Sequence, residues 1–224
     1  MNYSMVKRLI LKDWYLHRIP IAASLLGGIG ALGIVCLGGQ LAFTAGLVLL
    51  LTALIAVGSH LAISTMVNER KDQTLAFVMS LPVSHAEYTL SKLAGTLLIF
   101  LFPYTVLVLG SLALFAIPHG IPHGLLPFTT IMAVEVLLNT CLMMSVAMAT
   151  ESQGWTVASI IVGNICINIV GFVVAHLPGI ASGLSGASVS WSSTASVSLL
   201  VEFAIIALML GMTFFFQSRK RDFL

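Results

Sequence analysis

The polar side chains that could do chemistry in this chain are few, and several lie within long apolar stretches. Glu135 and Asn139 are four residues apart, a spacing that puts two side chains on the same face of a helix. Asn164 and Asn168 repeat the spacing in the next apolar stretch. An ionised carboxylate at the centre of a bilayer costs roughly 2.5 to 3.5 kcal/mol, so Glu135 needs a compensating partner. The four residues predict either a polar stripe along a substrate path or subunit interface, or contacts that fasten two helices together.

Other reactive residue types lack the spacing that enzymatic or metal sites need. Glu202 is expected near the outer end of its stretch, where interfacial water makes a carboxylate less costly. The repeats Pro118-His119-Gly120 and Pro122-His123-Gly124 have no Cys or carboxylate beside them and predict a tight turn. The chain contains no His-Glu-x-x-His motif and no Walker A sequence for phosphate binding. We therefore predict no catalytic residue, no metal site and no cofactor bound by this chain.

The composition determines which elements must position these residues. Of the 224 residues, 58% are hydrophobic and only 8% are charged, whereas soluble domains have about 25% charged residues. This excludes soluble enzymes and proteins that bind nucleic acid. Six uncharged stretches are each long enough to cross a bilayer as a helix; they cover residues 19–37, 41–63, 93–117, 125–149, 155–177 and 197–216. The fold class is therefore predicted to be all-α, a polytopic membrane protein with six transmembrane helices in a single domain, 1–224.

The positions of the basic residues predict how the six spans are oriented in the membrane. All ten lie on one side of the six spans, in three groups: Lys7, Arg8, Lys12 and Arg18; Arg70, Lys71 and Lys92; Arg219, Lys220 and Arg221. The positive-inside rule places that side, and with it both termini, in the cytoplasm. Within span one, the run from Gly27 to Gly30 contains no Lys and predicts close helix packing rather than phosphate binding.

Three segments outside the spans have a predicted role. Residues 1–18 carry apolar and basic residues at helical spacing and predict an interfacial helix or, alternatively, an extension of span one. Residues 64–92 form the long cytoplasmic connection, which joins spans one and two (19–63) to spans three to five (93–177). The uncharged outer segment 178–196 contains Trp191 and predicts either a re-entrant segment or a Gly/Ser linker. Span six and a basic tail complete the chain, 197–224.

The cytoplasmic connection is predicted to contain two helices separated by a turn. Asn68 can cap a helix whose first turn carries acidic residues, and that helix must stop before Pro82. Ser84 and Glu87 have the spacing of a capping box, which would begin a new helix that runs through Lys92 into span three. A short helix, a proline turn and a new helix are suited to transmitting a push.

This connection resembles the first cytoplasmic loop of the type-2 ATP-binding-cassette (ABC) permeases. The resemblance rests on Glu69, Thr74-Leu75, Leu81-Pro82-Val83-Ser84, Glu87 and Lys92. The sequence Leu11-Lys12-Asp13 also resembles the opening of small bacterial members of the family. One departure is His85, which stands where the family usually has a basic residue.

The resemblance implies a coupling helix over residues 69–80 that docks on a separate ABC ATPase subunit. The implied docking residues are Glu69, Asp72, Thr74, Leu75, Val78, Met79, Leu81 and Pro82. It further implies a second permease subunit as partner, ATP and Mg bound only by the ATPase subunit, and a bacterial cytoplasmic membrane with its lipids as surroundings. The expected function is export of an amphipathic or hydrophobic substrate, such as a peptide, lipid or antibiotic. The alternatives are a passive channel, a membrane assembly factor or an intramembrane hydrolase.

Overall fold

The computed structural model describes residues 3–68, 85–116, 121–184, 186 and 188–219. All regular structure in these residues is helical, which confirms the all-α fold class. The six long helices are α1 (Tyr3–Cys36), α2 (Gln40–Ala62), α3 (His85–Ala113), α4 (Leu126–Thr150), α5 (Gln153–His176) and α6 (Ser193–Arg219). A π-helical segment, Ile63–Asn68, extends α2, and short 3-10 turns occupy Leu114–Ala116 and His123–Leu125.

Each of the six helices contributes a segment long and apolar enough to cross a membrane. These segments are Lys7–Cys36, Leu41–Asn68, Thr89–Ala116, His123–Thr150, Gln153–His176 and Ser193–Gln217. The number and order of the predicted spans are therefore confirmed, and the helices have the length and composition of those in a multi-pass membrane protein. The largest difference is in the first span, which begins at Lys7 instead of at residue 19.

The first helix is continuous through Pro20, which lies next to the boundary between residues 1–18 and the first predicted span. α1 runs for 34 residues with Pro20 in its interior, so a separate interfacial helix over residues 1–18 is not confirmed. The described residues follow the alternative, in which this region extends span one. Asp13 and His17, one turn apart, are both buried, because this part of α1 packs against the other helices.

Helix α4 is the centre of the bundle. In its most apolar stretch 61% of the residues are buried, against at most 33% in any other span. It packs against α2, α3, α5 and α6. A continuous apolar core surrounds it, with side chains that include Leu61, Phe100, Leu107, Met143 and Met144. Its central polar side chains, Glu135, Asn139 and Thr140, are therefore buried among the helices.

Helices α1 and α3 run parallel and approach each other closely at glycines. A Cβ atom on Gly28 would lie 2.5 Å from the side chain of Leu107, and one on Gly95 would lie 2.9 Å from Ile10. The prediction of close packing for the glycine run in span one thus holds for Gly28. It does not hold for Gly27 and Gly30, which have open space where a Cβ would be.

The segment between α5 and α6 is folded back onto the start of α4. Residues 178–184 form successive turns, and Ile180 is buried against Ile131 and Ala195. The backbone N–H of Gly124 donates a hydrogen bond to the carbonyl of Gly186 at 3.0 Å. This packing differs from an unstructured linker, while insertion into the outer leaflet stays a prediction.

Candidate functional site: two buried polar clusters

The residues predicted to contact an ATPase subunit lie outside the described residues. They are Glu69, Asp72, Thr74, Leu75, Val78, Met79, Leu81 and Pro82. The helices that flank this connection are described, and their ends meet in a polar cluster, which we call the junction; all of its residues except the exposed His60 are buried. It is formed by Asp13 and His17 of α1, His60 of α2, Thr65 of the π-helical segment, and Lys92 and Thr96 of α3.

A buried ion pair is the main contact of the junction. The ammonium Nζ of Lys92 lies 2.9 Å from Oδ2 of Asp13, and the two side chains are 2% and 5% exposed. The ammonium of Lys12, which is half exposed, lies 3.3 Å from Oδ1 of the same carboxylate. Removing one partner of a buried pair leaves an uncompensated charge, which costs about 3 to 5 kcal/mol. The pair therefore fixes the amino-terminal end of α3 against α1.

Neutral polar contacts bring α2 into the same junction. The imidazole rings of His17 and His60 lie 5.4 Å apart in an edge-to-face arrangement. The hydroxyl oxygens of Thr65 and Thr96 are 3.2 Å apart, and Thr65 also donates a hydrogen bond to the carbonyl of Leu61. The described residues on both sides of the connection are thus joined to each other and to α1.

Each residue of the ion pair belongs to a recognisable sequence pattern, although the patterns do not reveal that the two residues pair. Asp13 belongs to Leu11-Lys12-Asp13 and Lys92 closes the loop pattern, so both parts of the family resemblance contribute one partner. The two residues are 79 positions apart. Their pairing depends on the register between α1 and α3, which no local pattern gives.

A second cluster lies within the membrane-spanning part, and we call it the carboxyl cluster. It contains Glu135 and Asn139 of α4, Glu202 of α6 and Tyr104 of α3. Glu135 and Glu202 are 4% and 7% exposed and close enough for their charges to interact. The phenol of Tyr104 lies within electrostatic range of Glu202 and donates a hydrogen bond to the carbonyl of Ala133 at 2.9 Å.

The position of Glu202 corrects one expectation. It lies nine residues after the start of α6, which is about 13 Å along the helix axis. Its side chain is buried against α4 rather than surrounded by interfacial water. Glu202 is therefore a spatial neighbour of Glu135, which the sequence did not predict.

The polar residues predicted on α5 do not join the buried carboxylates. Asn139 is 1% exposed, but Asn164 is half-buried and Asn168 is exposed. The amide of Asn168 donates to the backbone carbonyl of Asn164 at 2.7 Å, so this hydrogen bond is made within α5. The neighbour that Asn139 meets on α5 is Gly163, where a Cβ atom would overlap the amide oxygen.

The carboxyl cluster differs from the junction because none of its residues is a Lys or Arg. No Lys or Arg occurs between Leu93 and Ser218, a range that includes all four residues of the cluster and all of α4 and α5. Within the described residues, Oε2 of Glu202 and both side-chain polar atoms of Asn139 are buried without a hydrogen-bond partner. A pair of ionised carboxylates would be very costly there, so helix packing in this region must tolerate incompletely paired polar groups.

An apolar cavity of about 180 Å³ lies between α2, α3 and α4, towards the amino-terminal ends of α2 and α4. Its lining includes Phe43, Leu47, Phe128 and Met132. The hydroxyls of Ser111 and Thr129, which also line it, donate to backbone carbonyls close by in the chain. The cavity thus offers hydrocarbon surface to any molecule that enters it.

Comparison with known proteins adds no further assignment. No protein-family model matches the chain, and no curated protein or solved structure is significantly similar to it. Within the described residues, no three His, Cys, Asp or Glu side chains are grouped so that they could hold a metal ion. The functional interpretation therefore depends on the sequence pattern and on the two clusters.

Proposed function

We propose that this chain is the membrane-spanning permease subunit of an ATP-driven ABC exporter in a bacterial cytoplasmic membrane. A separate ATPase subunit binds ATP and Mg and docks on the connection between α2 and α3. A second permease subunit, identical or different, completes the transport unit. The exported substrate is amphipathic or hydrophobic.

The observation that carries this proposal is the connection from Glu69 to Lys92 between the second and third spans. Its motif resembles the ATPase-docking loop of type-2 permeases, and it lies on the side that carries all the basic residues. A channel does not need a partly apolar helix on its cytoplasmic face. The chain has no phosphate-binding motif of its own, so an ATP-driven role requires a partner.

Two features of the described residues support the proposal. The connection begins and ends at the junction, where Thr65 and Thr96 are in contact and Lys92 is paired with Asp13. A force on the connection would therefore act on α1, α2 and α3 together. The apolar cavity between α2, α3 and α4 supports a substrate with hydrocarbon groups.

The test is ATP hydrolysis by the chain reconstituted in lipid vesicles with an ABC ATPase subunit that co-purifies with it. Changing both Leu75→Asp and Met79→Asp should abolish the hydrolysis that the permease stimulates, because the docking surface would become acidic. Membrane insertion should remain normal. The matched control is Val189→Asp, an apolar-to-acidic change at an exposed position between α5 and α6, which should leave hydrolysis unchanged.

Two results would contradict the proposal. One is full stimulation of ATP hydrolysis by the Leu75 and Met79 double variant. The other is solute flux through the purified chain alone in vesicles without nucleotide, which would instead support a passive channel.

A further inference from the structure

The ion pair of the junction lies close to the point where α3 receives a force from the connection. α3 begins at His85, and Lys92 is two turns further along. Its ammonium is held by Asp13 of α1 at 2.9 Å, and both side chains are almost completely shielded from solvent. α1 precedes α3 by two spans and is not adjacent to the connection in the chain.

We propose that Asp13 and Lys92 are positioning residues that make α1 and α3 move as one unit when the connection is displaced. This inference rests on the proposed function, because it assumes an ATPase subunit that moves the connection. Beyond the proposed function, the inference specifies which helices move with the connection and which side chains link them. The pair acts by holding the two helices in one register along the membrane normal.

The packing of the two helices shows why an ion pair is needed for this task. Along their length the contacts are apolar, at Ile10 on Gly95, Trp14 on Phe102 and Gly28 against Leu107. Apolar contacts resist a shift through packing alone, and side chains can partly repack after a small displacement. A buried charge pair is different, because a shift of a few ångströms separates two opposite charges in a low-dielectric environment.

The contact between α3 and the end of α2 resists a shift of one helix along the other less strongly than the ion pair does. It consists of two neutral hydroxyls, Thr65 and Thr96, and Thr65 also bonds to its own helix. Separating neutral hydroxyls costs far less than separating buried charges. A displacement of α2 relative to α3 therefore costs less at these side chains than a displacement of α1 relative to α3 costs at the ion pair.

A purely structural ion pair would have different consequences, and a charge-free variant separates the two cases. Asp13→Leu with Lys92→Met replaces the pair by apolar side chains of similar size, a change that is often neutral or stabilising. If the pair only holds the fold together, this double variant keeps its function. If the pair fixes the register, the variant folds but transmits poorly.

The experiment uses the complex of the full chain with its ATPase subunit in vesicles. Distances are measured by electron paramagnetic resonance from a spin label at Phe216 to labels at Leu16 of α1 and Leu98 of α3, all exposed positions. Cys36, Cys141 and Cys166 are first replaced so that only the introduced cysteines react. With the ion pair intact, ATP should change both distances. In the charge-free double variant, only the distance to the label at Leu98 should change.

Transport per ATP hydrolysed provides the second measurement. It should fall about tenfold in the charge-free variant, within the range of typical coupling between sites. The exchanged pair, Asp13→Lys with Lys92→Asp, should recover most of the loss. Arg18→Met is the matched control, because it removes a cation of α1 that stacks on Tyr15 outside the pair, and it should leave the coupling unchanged.

The outcomes distinguish this inference from the proposed function. Normal coupling and two ATP-dependent distances in the charge-free variant would overturn the role of the ion pair and leave the proposed function intact. No ATP-dependent change in the unaltered chain, together with no stimulated hydrolysis, would overturn the proposed function and this inference with it.

Discussion

Both polar clusters contain buried carboxyl groups, but only the junction contains cations that compensate them. In the junction, Asp13 meets a Lys from another helix at 2.9 Å, so a negative charge is compensated at short range. In the carboxyl cluster, the buried carboxyl groups of Glu135 and Glu202 lie within electrostatic range of each other, and no Lys or Arg occurs in the sequence between Leu93 and Ser218. A matched pair is suited to holding helices in place, whereas a cluster without a cation is not stabilised by charge attraction. The junction should therefore be the part of the bundle that is more sensitive to changes of charge.

The largest effect is expected from Lys92→Met, which leaves the buried Asp13 without its buried cation and beside the half-exposed Lys12. The free energy of unfolding should fall by about 3 kcal/mol, measured by denaturant unfolding in detergent. The double variant Asp13→Leu with Lys92→Met should recover most of this loss, because it removes the uncompensated carboxylate. A loss below about 1 kcal/mol in the single variant would mean that Lys12 alone can compensate Asp13, and the contrast between the clusters would disappear.

An intermediate effect is expected at Gly163, where the carboxyl cluster meets α5. Gly163→Ala should lower the free energy of unfolding by about 1 to 3 kcal/mol, because the new methyl group would overlap the amide of Asn139. Adding Asn139→Ala should relieve the overlap and restore much of the stability. Gly30→Ala is the control, since a methyl group there enters open space. Equal losses in both glycine variants would show that α4 and α5 are not closely packed at this point.

The smallest effect is expected from removing the carboxylates of the carboxyl cluster. Glu135→Gln and Glu202→Gln keep the side-chain size and remove the possibility of charge, so each should change the free energy of unfolding by less than about 1 kcal/mol. The same denaturant titration in detergent measures it, and Asp13→Asn should be clearly more destabilising than either. If a Glu variant proved as costly as Asp13→Asn, the cluster would need a cationic partner, and the comparison drawn above would be wrong.

The fold could be predicted from the sequence to a large extent, while the candidate site could be predicted only in part. Glu135 and Asn139 were placed on one helical face by their spacing, and both are buried on α4. The spacing of Asn164 and Asn168 was equally regular, yet α5 turns Asn168 to the surface. Spacing identifies a face but not which way that face points, because the rotation of a helix is set by its neighbours.

Glu202 and the ion pair show that sequence patterns also do not reveal contacts between residues far apart in the chain. The position of Glu202 along the chain suggested an interfacial carboxylate, but the packing of α6 against α4 turns it towards Glu135. Asp13 and Lys92 were each part of a recognised pattern, but nothing in those patterns joins two residues that are 79 positions apart. The proposed docking residues, from Glu69 to Pro82, lie outside the described residues and stay a prediction.

The amino-acid sequence by itself determined that the chain forms six membrane-spanning helices with its basic residues grouped on one side. It could do so because a crossing requires about 20 consecutive apolar residues, and this requirement is local. Only the tertiary structure decided that α1 continues through Pro20, that Asp13 pairs with Lys92, and that Glu135 and Glu202 are both buried within electrostatic range of each other. Those outcomes depend on the register and rotation of packed helices, which result from contacts such as Gly28 on Leu107 between residues far apart in the chain.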